Sequence, residues 1–152
     1  MKKIISWAAV FLWMALIFCL SSQPADQSNQ LSTGITQAIA EAIEKVIPGT
    51  EVIIGELNSI VRKNAHFIAY MVLGILTVTA LRNSGAKIKK SFLPAMVICV
   101  LYAVSDEVHQ LFVPGRGCKF TDMLIDSAGA LVGSGVIYAA GAIRRKRQES
   151  GG

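Results

Sequence analysis

Four long apolar stretches, punctuated by short basic clusters, constrain this chain more than any single residue does. They fall at residues 4–23, 62–81, 91–113 and 120–143. About 20 apolar residues in helical form cross the hydrocarbon core of a bilayer, and a helix satisfies its own backbone there. The expected fold is therefore all-α, a four-transmembrane-helix bundle, in a single domain over residues 1–152. Composition agrees: 53% of residues are hydrophobic and 16% charged, where a soluble domain carries about 25% charged. The first stretch is longer than a signal-peptide core and no A-x-A pattern follows it. It reads as a retained membrane helix.

Residues 24–61 are more polar. Leu31, Ile35, Ile39, Ile43 and Ile47 recur there at fourth positions, with Ala38, Ala42 and Val46 beside them, which is a helical apolar stripe. The spacing predicts an amphipathic helix over residues 32–47, capped by Ser28 or Ser32 and ended by Pro48-Gly49. Such a helix lies in a membrane interface or packs on the mouth of the bundle.

Basic residues set the orientation. Lys2 and Lys3, then Arg82, Lys87, Lys89 and Lys90, then Arg144, Arg145, Lys146 and Arg147 fall on one side of the predicted bundle. Only Lys45, Arg62, Lys63, Arg116 and Lys119 fall on the other. The positive-inside rule places both termini in the cytoplasm and makes the 24–61 and 114–120 segments external. The net charge of +5 is thus written as topology. With no soluble domain to present a basic surface, nucleic acid is not an expected partner, whereas membrane lipid is. Cys19 and Cys99 lie in apolar stretches and Cys118 in a polar loop, and their spacing suggests neither a CxxC pair nor a metal knuckle.

Ionisable residues gather at the external ends of three helices. Arg62 and His66 open the second, Asp106, Glu107, His109 and Gln110 close the third, and Asp122 and Asp126 open the fourth. Helical rise puts Asp106 and Asp126 roughly 9–10 Å inside the nearest loop. Arg62 and His66 share a face, as do Asp106, His109 and Gln110, and again Asp122 and Asp126; Glu107 points about 100° away from Asp106. Charged groups at membrane depth are costly and mark functional sites. Two readings stay open, a site and an ion-paired plug that fixes helix order. In the first, His66, Asp106, His109 and Asp126 are the candidate catalytic residues, with Arg62, Glu107, Gln110, Arg116 and Asp122 as the binding set. Histidine and carboxylate oxygens also suit zinc or manganese, but no HExxH pattern is present and the sequence assigns no ligand set and no cofactor. The turn Phe112-Val113-Pro114-Gly115-Arg116-Gly117 aims Arg116 at the mouth of the cluster. Arginine fits phosphate or carboxylate, so the expected ligand is an anionic lipid or envelope precursor, unless Arg116 pairs with Asp106 or Asp122.

Several of these strings resemble the VanZ-like family of membrane proteins. They are Phe18-Cys19-Leu20-Ser21-Ser22-Gln23-Pro24, then Arg62-Lys63-Asn64-Ala65-His66-Phe67 with Tyr70 and Leu73-Gly74. The third is Asp106-Glu107-Val108-His109-Gln110-Leu111-Phe112-Val113-Pro114-Gly115-Arg116, followed by Asp122, Asp126, Gly129 and Gly133. The family often has glutamate where Ala69 stands and asparagine where Asp126 stands. Its named member is associated with low-level teicoplanin resistance, so the resemblance implies a role in cell-envelope chemistry or glycopeptide susceptibility.

These residues support an enzyme, in which His66 or His109 moves a proton under the influence of Asp106 or Asp126, and equally a binding protein that shields an envelope target. A small transporter fits less well, because carriers place their polar groups near the midplane. Reporter fusions at residue 86 and at the C-terminus should both read cytoplasmic, and one at residue 50 external; an external residue 86 overturns this topology.

Overall fold

The computed structural model describes residues 1–46 and 54–150. Their order is α1 (Lys2–Ser21), α2 (Ala25–Val46), α3 (Ile54–Asn83), α4 (Ile88–Gln110) and α5 (Phe120–Ser150). Four segments are long and apolar enough to span a membrane, Lys2–Ser21, Leu57–Asn83, Ile88–Gln110 and Phe120–Ile143. The expected all-α architecture with four such helices is what the chain forms. Ile47, the Pro48-Gly49 terminator and the side chains of Leu31, Ser32 and the four tail cations lie outside the described residues.

Several boundaries differ from the sequence reading, each for a local reason. α2 begins at Ala25, well before residue 32, because Pro24 opens it: a proline at a helix start forfeits no intrahelical bond, and Ser28 N–H donates to its carbonyl at 3.0 Å. Ser28 is therefore inside the helix instead of capping it. α3 begins at Ile54, about three turns before His66. The reading from hydropathy began that helix at Arg62, but the preceding turns are helical too and dock on α2, where Thr36 Oγ1 donates to Asn58 Oδ1 at 2.5 Å. α4 begins at Ile88, three residues before the apolar stretch, and Pro94 sits in its second turn. The ring removes the bond to the Lys90 carbonyl.

α3 is the centre, packing on every other helix. Its closest neighbour is α5. A Cβ added at Gly129 would overlap the Phe67 carbonyl, one at Gly133 the Met71 carbonyl, and one at Gly74 the Ala130 carbonyl. Backbone thus meets backbone across this seam, the arrangement small residues permit between membrane helices. α1 is held by polar side chains reaching main-chain oxygens: Trp13 Nε1–H donates to Ala69 O at 2.8 Å and Tyr102 Oη–H to Met14 O at 2.5 Å.

On α4 the inward face is small and polar. Ser91, Ala95, Cys99, Ala103, Asp106, Glu107 and Gln110 are buried. Leu93, Val97, Leu101, Val104 and Val108 are exposed. Small and polar groups point in and large aliphatics out, the reverse of a soluble bundle, and this is the arrangement that lipid as solvent selects.

Both connections at one end of the bundle touch. Ala25 N–H donates to Pro114 O at 3.2 Å, and Gly115, at φ 73°, lies where a Cβ would stand 3.0 Å from that of Ala25. We call this the α2 end. At the opposite end the α3–α4 turn meets the start of α1, with Trp7 Nε1–H donating to Ser84 Oγ at 3.0 Å.

The seam makes a direct prediction. Gly129→Ala and Gly133→Ala should each cost about 1–3 kcal/mol through overpacking. Gly135→Ala, which meets nothing within 4 Å, should instead gain up to about 1 kcal/mol of helix propensity. Thermal midpoints of the purified variants in detergent check the sign of each.

Candidate functional site

Three helices each contribute one side chain to a compact cluster at the α2 end. His66 from α3, Asp106 from α4 and Asp126 from α5 bring one nitrogen or oxygen each within 4.8 Å of one another. His66 Nδ1 lies 3.6 Å from Asp126 Oδ2, a distance for an ion pair but too long for a hydrogen bond. His66 stands immediately before Phe67, and Asp126 three residues before Gly129, so the glycine seam brings this pair together.

Asp106 is oriented from two sides. Ser21 Oγ–H of α1 donates to its Oδ2 at 2.8 Å, and Gln110 Nε2–H, one turn further along α4, donates to the same oxygen at 3.3 Å. Among the described residues its Oδ1 has no hydrogen-bond partner, and neither oxygen of Asp126 has one. Both aspartates are buried, Asp126 at 0% exposure. Buried carboxylates with unmet oxygens are expensive, so the arrangement is not explained by packing alone.

Glu107, about 100° round α4 from Asp106, turns toward the α4–α5 loop and accepts the Lys119 backbone N–H at 2.9 Å. It ties the α4–α5 loop to the bundle. His109 was expected in the cluster and is not part of it. Its Nε2 lies 3.1 Å from Ser22 Oγ and its ring 4.3 Å from that of Phe18. The face it shares with Asp106 by helical spacing is broad, and α1 draws the imidazole to its rim while Asp106 and Gln110 turn inward.

Two cavities meet at this cluster. The larger, about 210 Å³, is walled by Ile17, Leu20, Ile35, Val61, Ala65 and Ala69, with Ser21, Gln23, Ser28, Arg62, His66 and Arg116 supplying its polar side. The smaller, about 20 Å³, is bounded by Arg62, Lys63, His66, Glu107, Gln110, Arg116, Asp122, Ile125 and Asp126. Arg62, His66 and Arg116 line both. One chamber is therefore greasy, the other is about the size of a water, and two guanidinium groups and an imidazole stand where they meet. Arg116 lies in the α4–α5 loop. Partial burial and the like charge of Arg62 pull its pKa below the ordinary arginine value, while Asp106 and Glu107 oppose that shift. The group stays cationic, as arginine does.

Of the residues singled out in the sequence, Arg62, His66, Asp106, Glu107, Gln110, Arg116, Asp122 and Asp126 thus assemble at one end, and His109 sits beside them against α1. Sequence reasoning missed Ser21 as the donor to Asp106, because a serine ending an apolar helix carries no signal of its partner. It named Tyr70 only within the resemblance and not as a site residue; the side chain is fully buried one turn beyond His66 on the same helix and within electrostatic reach of Asp106 and Asp126. Periodicity could have found that residue.

The family model VanZ/LLP1 matches residues 6–141, a stretch that includes every residue of the cluster. No curated protein and no solved structure matches the chain significantly.

Ser21→Ala should cost about 1–3 kcal/mol, because it leaves a buried carboxylate oxygen short of a donor. Ser22→Ala removes a half-buried contact to His109 and should cost less than about 1 kcal/mol. The two thermal midpoints, measured side by side, should fall in that order.

Proposed function

Because the chain belongs to the VanZ/LLP1 family, and is a multi-pass membrane protein by its four apolar helices, we propose that its α2 end binds and modifies an anionic amphiphile of the cell envelope. The observation that carries this reading is that Arg62, His66 and Arg116 line an apolar cavity and a polar one at once. An acyl or prenyl chain fits among Ile17, Leu20, Ile35, Val61, Ala65 and Ala69. Its phosphate or carboxylate then meets the two arginines, whose planar forks suit such groups. The reactive end, His66 with Asp106 and Asp126, lies directly beside that headgroup. The basic residues favour both termini in the cytoplasm and the α2 end in the outer leaflet of the cell membrane. There the exposed Ile39 of α2 would rest on the lipid interface, with the helix covering the cavity. Altering or sequestering an envelope headgroup at that surface would change susceptibility to a glycopeptide such as teicoplanin. A transporter is disfavoured, since the buried carboxylates Asp106, Glu107 and Asp126 all lie at one end.

Lipid retention tests this. Protein purified in mild detergent should carry anionic lipid, read by mass spectrometry. Arg116→Ala should lower that retention about tenfold or more, the worth of a charge-assisted bond, and leave zwitterionic lipid unchanged. Arg82→Ala, at the opposite end, should have no effect. Equal retention by the wild type and Arg116→Ala overturns the anion pocket. Loss of a glycopeptide phenotype in Asp106→Asn, with normal membrane levels and normal lipid retention, would favour turnover over shielding.

A further inference from the structure

We propose that His66, Asp106 and Asp126 form a binding site for one divalent transition-metal ion, of the zinc or manganese class. The three donor atoms lie within 4.8 Å of one another. Ligands about 2.0–2.2 Å from one tetrahedral zinc stand about 3.3–3.6 Å apart, so the side chains must close by up to about 1.5 Å to converge on an ion. They come from three different helices, and the α3–α5 glycine seam fixes two of those backbones before any ion arrives.

The second observation is independent of the spacing. Asp126 is wholly buried, yet among the described residues neither of its carboxylate oxygens accepts a hydrogen bond, and Asp106 Oδ1 accepts none either. Proteins satisfy buried carboxylates with donors or with metals. Ser21 and Gln110 both reach Asp106 Oδ2, while the buried Tyr70 hydroxyl and Arg116 Nε–H donate to neither aspartate nor to any other described residue. At Asp106 that pattern fixes one oxygen and leaves the other without a donor among the described residues, as outer partners do around a metal-ligating carboxylate. Arg116 acts on Asp106 and Glu107 at longer range and makes no hydrogen bond to Asp126. One imidazole and two carboxylates suit zinc or manganese; magnesium and calcium prefer oxygen alone.

Three protein ligands leave a coordination position open. That position would face the chamber lined by Arg62 and Arg116, where an anionic oxygen or a water could complete the shell. This orientation toward a headgroup rests on the anion-pocket reading, but the metal site itself stands on its own three residues. In the loaded state His66 is a ligand and not a proton-transfer base.

Metal binding separates the two ideas. Full-length protein in detergent is stripped with chelator and titrated with Zn²⁺ alone and with Mn²⁺ alone. The wild type should bind one equivalent and gain thermal stability on loading. His66→Gln and Asp126→Asn should bind none while melting, metal-free, no lower than the metal-free wild type by more than a few degrees. Ser21→Ala, which only positions a ligand, should weaken binding about tenfold. Arg116→Ala should lose anionic lipid but keep the metal. With Co²⁺ as the probe, the absorption spectrum should lack a sulfur-to-metal charge-transfer band, since no cysteine belongs to the site. Binding of less than a tenth of an equivalent, equal binding by Asp126→Asn, or a sulfur band that disappears in Cys118→Ser would each overturn the site. Intact metal binding with no lipid selectivity would instead overturn only the anion pocket.

Discussion

The contact of α3 with α5 is the constraint on which the rest of this molecule depends. Gly74, Gly129 and Gly133 let the two backbones approach until carbonyl oxygens occupy the space a side chain would need. In lipid no hydrophobic force drives helices together, so van der Waals contact of this kind carries the association. The seam also sets register. It places His66 opposite Asp126, and it makes α3 the element against which α1, α2 and α4 all pack. A one-turn slip would separate the imidazole from the carboxylate by about 5 Å and dismantle the cluster.

α4 adds the second constraint. It buries a narrow line of small residues, Ala95, Cys99 and Ala103, and ends in two consecutive acidic residues that are both buried. A single helix face could not hold both. The 100° between them sends Asp106 toward Ser21 of α1 and Glu107 toward the Lys119 amide. One carboxylate is thereby kept within the cluster while the other anchors the loop that carries Arg116. The cationic and anionic halves of the site are thus positioned by neighbouring residues of one helix end.

Function follows from what this leaves between the helices. A greasy cavity and a polar one share Arg62, His66 and Arg116, and a buried pair of aspartates with unmet oxygens stands behind them. A purely structural plug would satisfy its own charges. This cluster leaves acceptors unmet among the described residues, which is the condition for taking up a cation, a water or a ligand.

The sequence by itself determined the class of fold and the level of the site. Apolar length and the absence of water in a bilayer core dictate helices, and the gathering of Arg62, His66, Asp106, Asp126 and Arg116 near shared helix ends dictates a common depth. Element starts were less legible. The early turns of α3 and of α2 are polar enough to hide in hydropathy; those of α3 dock on α2 through Asn58 and Thr36, and α2 starts early because Pro24 opens it. Only tertiary structure decided which residues on a shared face actually meet. Helical spacing treats His109 and Gln110 alike as neighbours of Asp106. The position of α1, with Ser21 and Phe18 on its last turns, separates them, drawing the histidine to the rim and leaving the glutamine bonded inside. Spacing along one helix is a local quantity, whereas the partner across a helix interface depends on how a second, distant segment is packed and turned.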